Sequence, residues 1–192
     1  MSGQLPTTPV ARSASIISQQ NTIISVTSSG RKQARQIDGQ KFAMTLSYPP
    51  MTRSEFAPIK AFIMKQRSQL ESFTVIPPTE SDAQGTAGGT PTGTASAGDT
   101  SITLGGTGTG TLKAGDYIKF ANHDKVYMVV ADQSDISTGS LTIEPPLRAA
   151  VSSTDIIYDD VPFTVSLTND IQEYNIGTTN LYAYELDVIE VL

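Results

Sequence analysis

The sequence predicts a mainly β chain of the α+β class, with one helix and a small β-barrel. Three observations carry this. Short runs rich in Val, Ile, Thr and Tyr recur between Gly, Pro, Asn and Asp punctuation, as strands and turns do. One segment alone joins a helix-start signal to helical apolar spacing, at Thr52 to Leu70. A Gly/Thr-rich stretch, residues 79–94, holds no Val, Ile, Leu, Met or aromatic and separates two parts of different composition.

The elements follow in chain order. Residues 1–11 read as a flexible N-terminal arm, because Pro6, Pro9 and small polar residues bury little surface. Ile16, Ile17, Ile23, Ile24 and Val26 mark a strand or bent strand pair from Ser15 to Thr27. Ser28-Ser29-Gly30 signals a turn, Arg31 to Asp38 a polar basic loop, and Asp38-Gly39 a second turn. Phe42, Met44, Leu46 and Tyr48 alternate with Ala43, Thr45 and Ser47, which predicts a half-buried strand ended by Pro49-Pro50. Thr52 to Glu55 fits a capping box. Phe56, Ile59, Ile63, Gln66 and Leu70 then fall on one helical face, with Phe62 beside them. Pro58 suggests a short first turn and a main helix from about Ala57. Ser72 to Ile76 is a strand closed by Pro77-Pro78.

Residues 79–94 read as a flexible linker. Beyond it, strands are expected at Ser101 to Leu104, Asp116 to Phe120, Lys125 to Ala131, Ser140 to Ile143 and Ile156 to Tyr158. Turn signals at the spacing of a small barrel separate them, so 95–160 is read as the barrel. Three closing strands are expected at Pro162 to Leu167, Ile171 to Ile176 and Leu181 to Leu192. In the last, Tyr182, Tyr184, Leu186, Val188 and Glu190 share a face.

Composition excludes more than it names. With no Cys and one His among 192 residues, disulfides, thiolate metal sites and His-paired relays drop out. No apolar run approaches the length of a membrane span, and Met1 to Val10 is too polar for a signal peptide. The net charge of −6 hides a division: residues 1–78 carry nine basic and three acidic side chains, and 79–192 carry four and sixteen. The halves are thus +6 and −12, and charges of both are interleaved with apolar residues. Opposite faces of this kind suit head-to-tail self-association.

Four constellations bear on chemistry. Gly105 to Gly110 has the glycines of a phosphate loop, but no helix or Gly-Lys-Ser/Thr follows, so it reads as a plain loop. His123 reads as an exposed turn residue. Asp155, Asp159 and Asp160 lack the spacing of a calcium loop and read as an acidic rim. Glu144 and Asp155 are a formal carboxylate pair for a cell-wall hydrolase, with nothing to fix their separation. No catalytic, cofactor-binding or metal-binding residue is assigned, and the chain is not expected to be an enzyme. Tyr117, Phe120, Tyr127 and Tyr158 offer a glycan or partner site on the barrel, against the commoner role of aromatic core.

Several segments carry a resemblance: Gln40 to Pro50 (QKFAMTLSYPP), Glu55 to Phe62 (EFAPIKAF), Glu71 to Pro77 (ESFTVIP), Leu112 to Phe120 (LKAGDYIKF), Thr142 to Leu147 (TIEPPL) and Tyr182 to Leu192 (YAYELDVIEVL). In this order they resemble the distal tail proteins of tailed bacteriophages, relatives of the tail-tube fold. The resemblance implies a tail-tube-like β-sandwich with one helix, from 12–78 plus 161–192, interrupted by the barrel. It implies a structural virion protein that forms a homohexameric ring at the distal end of the tail tube and connects tube to hub or baseplate. DNA would cross the lumen only as cargo, no membrane partner is expected, and the protein would pass through host cytoplasm during assembly. A tail tube, neck or adaptor ring, or a free-standing glycan-binding or partner-binding β module, is the alternative. The subunit contact expected for a ring pairs Arg31, Arg35 and Lys41 with Glu185, Asp187 and Glu190.

Overall fold

A computed structural model describes residues 3–177 and 180–191. Met1 and Ser2 of the expected arm, Thr178 and Thr179 of the closing segment and Leu192 of the last strand lie outside the described residues. The chain is mostly strand, with one α-helix and a closed barrel, as its patterning predicts.

Two long strands open the fold, β1 (Ser13–Val26) and β2 (Lys32–Ser47), paired antiparallel along their length. The turn at Ser28 to Gly30 forms as expected: the Thr27 N–H donates to the Arg31 carbonyl and the Gly30 N–H to that of Thr27. The basic loop and the Asp38-Gly39 turn do not form. Arg35 pairs with Ile23 and Gln36 with Thr22, so this stretch is strand. A register shift between Gln19 and Asn21 absorbs the irregularity that Asp38-Gly39 signals, since a bulge bends a strand without reversing it.

The helix α1 (Arg53–Lys65) runs unbroken through Pro58, against the expectation of a separate first turn. The Glu55 carboxylate accepts from the Thr52 N–H (2.8 Å) and the Thr52 hydroxyl (2.7 Å), which fixes the helix start. Pro58 removes only the partner of the Ser54 carbonyl, in the exposed first turn where water can replace it. Phe56, Ile59 and Ile63 are buried, whereas Leu70 falls beyond the helix end in a short 3-10 turn (Ser68–Leu70) and is exposed.

The next strands are β3 (Phe73–Val75), then β4 (Pro91–Ala95), β5 (Ser101–Gly106), β6 (Tyr117–Phe120), β7 (Val126–Val129), β8 (Ser140–Glu144) and β9 (Val151–Ile157). The last three are β10 (Phe163–Leu167), β11 (Tyr174–Ile176) and β12 (Tyr182–Glu190). The sheet order is β1-β2-β12-β10-β3, with β11 paired to β12, so the ends of the chain share one sheet. Strands β4 to β9 close as β4-β5-β8-β7-β6-β9. Phe42, Met44, Leu46, Leu186 and Val188 form the sheet core with the buried helix face, and Ile118, Phe120, Tyr127, Val129 and Ile143 the barrel core.

Two segments expected to be loose are ordered by contacts. The Leu5 side chain is buried, its N–H donates to the Thr74 carbonyl, and Gln4 bridges Thr74 in parallel. The Gly/Thr stretch 79–94 ends inside β4, and before it Gly88 and Thr109 form an antiparallel bridge. Its glycines serve close approach: a Cβ on Gly85 would fall on the Thr111 carbonyl, and one on Gly110 on that of Thr86. The Gly105 to Gly110 run is the other half of this seam.

Candidate assembly surfaces

Strand β7 explains how barrel and sheet join. It is apolar on both faces: Tyr127 and Val129 enter the barrel core, while Val126 enters the sheet core with Met128 packed beside it. Tyr117 likewise leaves the barrel to pack edge-on against Phe42 (5.4 Å) and Phe163 (5.4 Å). In the middle of this joint lies an ion pair. The Lys125 ammonium donates to Glu190 Oε2 (2.6 Å) and Gln40 Oε1 (2.7 Å) and sits 4.6 Å from the Phe42 ring centre. Glu190 also accepts from the backbone N–H groups of Phe42 and Val126, both at 3.0 Å. Burial pushes the Lys125 amine below its ordinary value, and the Glu190 charge partly offsets this. A second link runs through Lys119, Asp124 and the Thr164 hydroxyl of β10. The paths into and out of the barrel meet where the Val161 N–H donates to the Ser81 carbonyl.

The six residues expected at a subunit contact do not share one place. Arg31 and Arg35 are exposed on the outer part of the β1/β2 hairpin, and Lys41 is half-buried nearer its base, opposite Gln19. Glu185 and Asp187 are exposed on β12, opposite Ser47 and Thr45 at the base of β2. At about 3.3 Å per residue, Arg35 lies roughly 33 Å along the ribbon from Thr45. The two sets therefore do not meet within one chain. Glu190 faces inward: it is fully buried and both its oxygens are engaged inside the chain, so it leaves the contact set.

Of the aromatics considered for a barrel ligand site, Phe120 and Tyr127 are buried in the barrel core and Tyr117 in the sheet core, and Tyr158 packs against the barrel core with its hydroxyl donating to the Gly89 carbonyl. Glu144 and Asp155 lie on β8 and β9, opposite walls of the barrel, both exposed, so they form no facing pair. Among the described residues no three acidic or His side chains cluster as a metal site. His123 is half-buried rather than exposed. Its Nδ1–H donates to Asn122 Oδ1 (2.6 Å), and its Nε2 accepts from the Tyr127 hydroxyl (2.8 Å), which in turn accepts from the Arg148 N–H.

The barrel has a known counterpart. Residues 80–158 match the family described as Distal tail protein pb9, B domain. The chain is similar to phage distal tail proteins. The match takes in all six barrel strands and leaves the sheet and helix outside it. It supports a structural protein of a phage virion, assembled with other tail proteins. No curated protein matches the chain.

Two surfaces outside the matched barrel stand out. The outer hairpin is a bare two-stranded ribbon whose two faces both carry apolar side chains. Ile23 and Ile37 lie with Arg35 on one face, and Ile24 and Val26 with Lys32 and Ala34 on the other. Their exposures run from 44% at Ile37 to 64% at Val26. An isolated hairpin of this kind is marginal in water. The second surface is a groove of about 740 Å³ between β12 and the 169–175 segment. Tyr48 and Tyr184, ring centres 6.2 Å apart, lie at its base, and burial pushes the Tyr48 phenol up to about 12. Sequence reasoning missed the joint at Lys125 and the apolar ribbon. The signals were present as Ile23-Ile24 and as the unbroken apolar run Val126 to Val130, which put apolar groups on both faces of a strand.

Proposed function

We propose that the protein forms a ring at the distal end of a phage tail tube and connects the tube to the hub or baseplate. The ring is a homohexamer by likeness to distal tail proteins, with DNA passing through its lumen as cargo. The sheet-and-helix unit, 12–78 plus 161–192, builds the ring, and the barrel extends from it toward neighbouring tail proteins. Its work is assembly, not catalysis. The observation that carries this reading is the bare β1/β2 ribbon, because an exposed apolar surface of this length calls for a protein partner.

Sedimentation and native mass measurement test the reading. The full chain is expected to form closed oligomers at micromolar concentration. Replacing Ile23 and Ile37 by Asn is expected to leave a folded monomer with unchanged circular dichroism. A wild-type chain that stays monomeric at high concentration, and is absent from tail tips in imaged particles, overturns it.

A further inference from the structure

The ribbon has a seat on the same molecule. We infer that the tip of the β1/β2 hairpin of one copy docks in the groove beside β12 of the next copy, with its arginines against the groove's carboxylates. This rests on the self-association proposed above and names the surface that each copy offers.

Both surfaces combine apolar and charged groups, and the charges are opposite. The outer hairpin carries Arg31, Lys32 and Arg35 around its bare isoleucines, with Asp38 its single acid. The groove is lined by Asp170, Glu173, Glu185 and Asp187 and by no basic side chain. Among the described residues the Glu173 and Glu185 carboxylates accept no hydrogen bond and form no ion pair, so their charges are free to take a partner. Ile171 lines the same groove at 85% exposure and matches the ribbon's apolar character. The phenols at the base stay neutral at working pH, because burial raises both Tyr48 and Tyr184. The groove's charge thus comes from its carboxylates alone.

Geometry makes the contact one between copies. The tip stands roughly 30–45 Å along the ribbon from the strand pair that flanks the groove. A rigid two-stranded ribbon cannot fold back over that distance without breaking the ladder that joins Ser13–Gln19 to Lys41–Ser47. Tip and groove are different surfaces, so the contact is head-to-tail, and head-to-tail contacts close into rings when the rotation allows. One interaction therefore covers the ribbon's apolar groups, neutralises the groove and repeats around the assembly.

The chain has no cysteine, so engineered ones report contact without background. Arg35→Cys and Glu185→Cys are made separately in the full chain, mixed, and oxidised with copper-phenanthroline in air. A disulfide-linked dimer is expected in the mixture and in neither variant alone, and the double variant is expected to give a ladder. Charge reversal provides a second readout. Arg35→Glu or Glu185→Arg alone is expected to weaken assembly by about tenfold or more, and the two reversals combined in one chain to restore most of it. If the wild type assembles but the mixture links no better than either variant, the docking site is elsewhere and the ring reading stands. If the wild type does not assemble, both fall.

Discussion

At the scale of single residues, the Lys125–Glu190 pair decides whether barrel and sheet behave as one body. Both side chains are almost wholly removed from water, 3% and 0% exposed, so neither charge can be rehydrated when the other is lost. Lys125→Met and Glu190→Leu are each expected to cost about 3–5 kcal/mol in urea unfolding, Glu190 the more, because it also satisfies two backbone N–H groups. The double variant should cost less than the sum of the two, and a cycle that came out additive would refute the coupling. His123 supplies a pH test. Burial, then the Lys119 charge, hold its imidazole below the ordinary 6.5. The unfolded chain therefore binds a proton more readily than the native one, and stability is full above pH 6.5 and declines as pH falls below it. The melting temperature of the wild type should drop between about pH 7 and pH 5, and that of His123→Asn should drop less over the same range. Neither role was legible in the sequence. Lys125 stands 65 residues from Glu190 and shares no local pattern with it, and His123 looks like any turn residue until Tyr127 is seen beneath it.

Elements were more legible than residues, because a strand or helix records its burial in its own period. The alternation of Phe42, Met44, Leu46 and Tyr48, and that of the last strand, predict the buried faces observed. Where expectation failed, a local signal met a stronger tertiary constraint. Asp38-Gly39 is a turn signal overruled by cross-strand pairing with β1. Pro58 is a helix breaker placed where its cost is small. Pro58→Ala should raise stability by roughly 1 kcal/mol, read as a higher melting temperature, and a destabilised variant would mean the proline shapes the first turn. The Gly/Thr stretch misled most. Its composition is that of a linker, but the same glycines permit two backbones to lie against each other. Gly110 has φ +84° and no room for a Cβ beside the Thr86 carbonyl. Gly110→Ala is expected to destabilise by about 2 kcal/mol or more, whereas a true linker position would tolerate it within about 0.5 kcal/mol; thermal melts separate the two.

At the scale of the whole molecule, the division of −6 into +6 and −12 acquires a location. The basic half ends in a ribbon that stands clear of the fold, and part of the acidic half lines the groove beside β12. The order of the chain makes this possible, since the last strand returns to pair with the base of the second and carries Glu185 and Asp187 to a surface remote from the hairpin tip. The ribbon's two kinds of side chain make different demands on assembly. Its isoleucines stabilise a formed contact by leaving water, a contribution that salt does not screen. Its arginines attract the groove across solvent before contact, and that attraction is screened once the Debye length falls to a few ångströms. Raising salt from about 0.05 M to about 0.5 M should therefore slow association by roughly tenfold while changing dissociation much less. Stopped-flow light scattering after dilution and concentration jumps measures the two rates separately. A dissociation rate that rose with salt as steeply as association fell would show that charge, not the buried isoleucines, holds the copies together.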